Sequence, residues 1–116
     1  PACVFKTLVP RGDPNGVVAA CIPVPPELDL KALARVSGNK SVELLPLKEL
    51  LPVTGYVRGG CSPVGMKKRF PTYIDASAER LPRIAVSAGA RGVQLFLAPA
   101  DLAGAVDGVF AALTMA

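Results

Sequence analysis

The sequence predicts an α+β domain built on a mainly antiparallel, barrel-like mixed sheet of six or seven short strands with two to four small helices. Three observations carry this. The 116 residues suffice for a single domain over 1–116, and 51% of them are apolar against 19% charged, so a core can form. Eleven Gly and twelve Pro cut the chain into short elements. Strand patterns mostly follow strand patterns rather than alternate with helices, which disfavours βαβ winding.

Residues 3–9 read as a strand in which Phe5, Thr7 and Val9 share one side and Val4, Lys6 and Leu8 the other. Turn chemistry fills Pro10 to Gly16, and Val17 to Ile22 forms a near-continuous apolar strand, so the two strands make a hairpin with a long tip. Asp29 is placed to cap a helix over 30–37, closed by Gly38. Ser41 to Leu45 is a short strand and Leu47 to Leu51 a turn or two of helix. Strands follow at 72–74, 83–87 and 93–97. Asp101 then caps a closing helix over about 101–113, with Leu102, Val106, Val109, Phe110 and Leu113 as its apolar stripe.

Composition excludes several chemistries. The chain has no His, which removes a Ser-His-Asp triad, a Cys-His pair and His-ligated zinc. Cys3, Cys21 and Cys61 are odd in number and lack CxxC spacing, which fits free thiols in a reducing cytoplasm rather than a disulfide framework or a metal site. No signal peptide and no apolar run long enough to span a membrane is visible. The chain opens inside an apolar run, which leads us to expect a preceding segment. The net charge of +4 permits an anionic partner without requiring one.

Four features could carry function. Lys6 stands where an apolar residue is expected. Gly59 to Gly65 is a tight loop whose backbone amides can approach an anion or ester closely. Lys67, Lys68 and Arg69 could contact phosphate. Ser87 and Gly89 lie in a Gly-containing turn, Ser87 as a hydrogen-bond donor, since no His activates it as a nucleophile. Each has a plainer reading on pattern alone: a strand lysine reaching for solvent, a hairpin turn, a solvated basic loop. Asp75 and Glu79 are spaced as a carboxylate pair, with nothing nearby to shift either.

The runs VFKTLV (4–9), GYVRGGCSPVGMKKRFPTYID (55–75) and VSAGARGVQLFLAPADL (86–102) together resemble the YbaK/prolyl-tRNA-synthetase-associated domain family, closest to its YbaK branch of Cys-tRNA(Pro) deacylases. The resemblance implies a trans-editing aminoacyl-tRNA deacylase acting on mischarged tRNA(Pro), carrying cysteine or alanine, with prolyl-tRNA synthetase as a further partner and no cofactor or metal. It implies Lys6 as the essential pocket lysine, accompanied by Thr7. It implies that Gly59, Gly60, Cys61, Ser62 and Pro63 are the GxxxP loop holding the aminoacyl ester, and that Ser87 and Gly89 line the pocket. Chemistry would then fall to groups on the substrate. The absence of His fits such a mechanism, because an activated ester needs chiefly orientation and oxyanion stabilisation. The family's further N-terminal segment, which closes part of the pocket, is not in this sequence. The alternative is a catalytically silent module of the same fold that binds tRNA or a synthetase.

Overall fold

The computed structural model describes residues 3–55, 62–64, 70–89 and 92–115. The main sheet is organised by β1 (Cys3–Leu8), whose alternation separates two cores. Antiparallel to it runs β4 (Ala19–Pro23), with Lys6 opposite Ile22 and Thr7 opposite Cys21. The order is completed by β6 (Thr72–Asp75), β7 (Ile84–Ser87), β8 (Gln94–Leu97) and β9 (Val109–Ala111), giving β8-β7-β1-β4-β6-β9. A second sheet, β3-β2-β5, is formed by β2 (Pro10–Asp13), β3 (Gly16–Val17) and β5 (Ser41–Leu44). The main sheet is open rather than a closed barrel. Its β7–β8 and β1–β4 ladders are antiparallel, while β1–β7, β4–β6 and β6–β9 are parallel.

On one face, which we call the first, Ala20 and Ile22 of β4 pack with Leu28, Leu33, Ala34, Val42 and Leu113. The helix that covers this face is α1 (Leu30–Ser37). Its ends are those expected: Asp29 Oδ1 accepts from the Lys31 and Ala32 amides at 3.1 Å, and Gly38 closes it at φ 72°. On the second face Phe5, Cys21, Ile74, Ile84 and Val86 pack against Ala78 and Leu102. Those two residues come from a short 3-10 helix (Ala76–Arg80) and from α3 (Pro99–Val106).

Three elements depart from the sequence reading. The predicted 101–113 helix starts earlier, with Pro99 in its first turn after Ala98, and ends at Val106. Asp107 turns left-handed (φ 52°) and the chain reverses into β9, which pairs parallel with β6. Gly108 permits the close approach: a Cβ there would lie 2.9 Å from Ile74 Cδ1. Val109 and Phe110 therefore belong to a strand, although their spacing also fits a helical stripe. The long hairpin tip is itself structured, with β2 paired to both β3 and β5. Gly12 is required inside β2, since a Cβ would collide with the Asn39 side chain. Finally, α2 (Leu47–Thr54) runs beyond the predicted turn, through Pro52, and closes at Gly55 (φ 83°). Arg11 Nη2 meets Glu49 Oε1 at 3.1 Å, tying β2 to this helix.

Candidate active site

Neither core includes Lys6, because the first core stops at β1. The Lys6 stem runs beside the fully buried Ile22, and the residue is half-buried. Among the described residues no carboxylate pairs with its ammonium. A partly buried cation without a counter-charge is tolerated when its head reaches solvent, and it is then free to hold an anion or polarise a carbonyl.

β1 and β7 run parallel, with Cys3 beside Ile84 and Val4 beside Ala85. Carrying that register on by two residues sets Ser87 alongside Lys6 on the first face. The Ser87 hydroxyl accepts from the Gly89 amide at 3.2 Å, which leaves its own proton available to a ligand. Gly89 sits at φ 101°, a conformation that a side chain would strain. Across the β7–β8 ladder Ser87 pairs with Gln94. Lys6, Ser87 and Gln94 thus form one row on the part of the first face that neither core clothes. Gln94 was missed from sequence. The pairing of strand 83–87 with strand 93–97 across their turn was the signal that could have found it.

Thr7 lies on the opposite face from Lys6, buried against Cys21. Among the described residues its hydroxyl has no hydrogen-bond partner. It is near enough to the thiol to temper the shift there, though outside hydrogen-bonding geometry. Burial pushes the Cys21 thiol up to about 12, the Asp75 carboxylate adding to the effect, so Cys21 stays neutral and inert near pH 7. Cys3 is exposed and free. Asp75 is structural: Oδ1 accepts from the Leu113 amide at 2.9 Å, while Oδ2 accepts from the Ser77 amide and hydroxyl. Glu79 is exposed and forms no pair with it.

Of the GxxxP loop, Ser62 and Pro63 are buried and Val64 packs on the second core. Ser62 Oγ accepts from the Val64 amide at 3.3 Å. Gly59, Gly60 and Cys61 lie outside the described residues, as do Lys67, Lys68 and Arg69. The sequence still locates the charge. Residues 56–69 hold Arg58, Lys67, Lys68 and Arg69 and no Asp or Glu, so this stretch alone matches the chain's net +4. Among the described residues no three His, Cys, Asp or Glu cluster as a metal site, and no helix is long and apolar enough to cross a membrane. A cavity of about 280 Å³ between Leu81, Pro82, Pro99 and Phe110 includes none of the row residues; Leu81 and Pro82 precede β7, at the end away from Ser87.

Comparison with known proteins identifies the family and the fold. The Aminoacyl-tRNA editing domain family matches residues 1–105. EbsC of Enterococcus faecalis, assigned by inference as a Cys-tRNA(Pro)/Cys-tRNA(Cys) deacylase, is 55% identical over 96% of this chain and 68% of its own length. The crystal structure of a protein assigned by inference as a trans-editing enzyme for prolyl-tRNA synthetase superposes with a TM-score of 0.87. It is 25% identical, over 97% of this chain and 71% of that one. Hypothetical protein APE2540 shares the fold at a TM-score of 0.89 and 24% identity, over 98% and 75% of the two chains.

Proposed function

Because the chain belongs to the aminoacyl-tRNA editing domain family, we propose that it is a cytoplasmic trans-editing deacylase that hydrolyses Cys-tRNA(Pro). The observation that carries the reading is the half-buried Lys6, without a carboxylate partner, in line with Ser87 and Gln94 outside both cores. Lys6 holds the 3′ end of the tRNA through a phosphate or sugar oxygen. Ser87 donates its free proton to the ester-bearing group, and the amides of Gly59, Gly60 and Ser62 stabilise the developing oxyanion. One such donor is typically worth about 10²–10³ in rate.

The protein supplies orientation rather than a nucleophile. The buried thiol of Cys21 is held neutral, and no His activates a hydroxyl. The substrate supplies the missing group. Its free terminal ribose hydroxyl orients a water whose oxygen adds to the ester carbonyl while the acyl–oxygen bond breaks and the ribose oxygen takes the proton. Or, on a cysteinyl ester, the amino acid's own thiol displaces the ribose oxygen and water then opens the resulting thiolactone. Proximity is enough for an ester already activated by its ribose leaving group. Lys67, Lys68 and Arg69 contact the tRNA backbone, and prolyl-tRNA synthetase supplies the selectivity for tRNA(Pro) that so few contacts leave open. The relation to EbsC favours cysteine over alanine as the amino acid removed. Incubation with Cys-tRNA(Pro) and Ala-tRNA(Pro) in parallel tests this. Release of cysteine well ahead of alanine supports it, and tRNA binding without release of either identifies a silent module.

A further inference from the structure

Beside the Lys6 row runs a second, apolar row on the same sheet face. The ladders set Val4 beside Ala85 and Ala85 beside Phe96. Phe96 is 59% exposed and Val4 44% exposed. Among the described residues Phe96 is the only exposed aromatic side chain, and it belongs to neither core. It lies on β8 two residues from Gln94, hence about 7 Å along the strand and about 10 Å across the sheet from β1. Its neighbour toward β1, Ala85, is fully buried, while the Phe96 ring itself stays open to solvent. An exposed aromatic face within one or two nucleotides' reach of an unpaired ammonium is the arrangement by which proteins hold single-stranded nucleic acid. The cation takes a phosphate and the ring stacks on a base.

We infer that Phe96 is a stacking platform for an unpaired base at the 3′ end of the tRNA whose ester lies over the Lys6 row; this rests on the deacylase reading above. The occupant is a nucleobase rather than a second protein copy because the polar row beside the ring offers an unpaired cation and hydrogen-bond donors. A self-association surface would leave that cation buried without a counter-charge.

The chain contains no Trp, so F96W introduces a single fluorophore at the proposed contact. Titration with the trinucleotide 5′-CCA-3′, the end shared by tRNAs, is expected to quench its emission saturably. A trinucleotide lacking the 3′ base should quench much less. In turnover, F96L should lower kcat/KM on Cys-tRNA(Pro) roughly fivefold to a hundredfold, the loss expected for one base–aromatic stack, with an unchanged melting temperature. No quenching by 5′-CCA-3′ overturns the inference, as does emission that follows protein concentration alone, which marks a self-association face. An F96L enzyme as fast as the parent overturns it too. Saturable quenching in a protein whose parent releases no amino acid supports the platform and removes only the deacylase reading.

Discussion

Lys6 stands directly opposite Ile22 across β1 and β4, so a charged side chain leaves the sheet beside one of its fully buried aliphatic ones. Packing alone would choose an apolar residue here. K6M should therefore keep the fold and gain up to about 1 kcal/mol, since a methionine of similar length can lie along Ile22 with no charge to desolvate. Thermal melting of the two proteins measures this. A marked loss of stability in K6M would assign Lys6 a structural contact instead of a functional one.

Ser87 and Gln94 should act on rate with little effect on stability. Each exchange, S87A or Q94A, removes one polar contact to the substrate and should slow deacylation roughly two- to tenfold. Since the two are register partners, the double variant should lose less than the product of the single losses. G89A should cost more than either in melting temperature, because its φ of 101° suits only glycine. Steady-state kinetics beside melting curves separate these effects.

The burial of Cys21 gives stability a pH dependence with a definite sign. The unfolded thiol ionises near its ordinary value of 9.0, and the folded one resists until about 12. The contribution is intact below pH 9. It falls between pH 9 and 12, by at most about 1.4 kcal/mol per pH unit, because the unfolded chain releases the proton first. C21A should show a shallower decline over pH 8–10.5 in chemical denaturation and should retain appreciable turnover. An identical slope in the two proteins contradicts the buried-thiol account.

Removing the Asp75 carboxylate strands the Leu113 amide and both donors of Ser77. D75A should destabilise by about 2–4 kcal/mol, and D75N by less because one acceptor oxygen survives. Activity per folded molecule should hold. Urea denaturation paired with active-site normalised rates checks both parts.

The basic run should govern affinity for the tRNA body. Replacing Lys67, Lys68 and Arg69 by Ala should weaken tRNA binding and flatten the log–log salt slope by about two to three, at roughly 0.7–0.9 per lost phosphate contact. Hydrolysis of a minimal aminoacyl-nucleotide should barely change. An unaltered slope would return the run to a solvated loop.

What could be read from the sequence was whatever local rules decide. Asp29 and Gly38 announced both ends of α1, and the alternation around Lys6 sorted β1 into its two faces before any partner was known. What escaped depended on distant partners. Val106, Val109 and Phe110 obey a helical period, and only the pairing of β9 with β6 makes strand residues of the last two. Gly12 reads as a turn residue until Asn39 closes over it. The membership of Gln94 in the Lys6 row needed the register of three strands.

The central claim is that Lys6 serves the ester and not the fold. The most direct measurement is single-turnover release of cysteine from Cys-tRNA(Pro) by the parent protein and by K6A, both verified as folded. The account predicts rapid release by the parent and a fall of about a hundredfold or more in K6A, on the scale of losing one transition-state contact. Equal rates in the two proteins would contradict it, as would a folded parent that releases no cysteine.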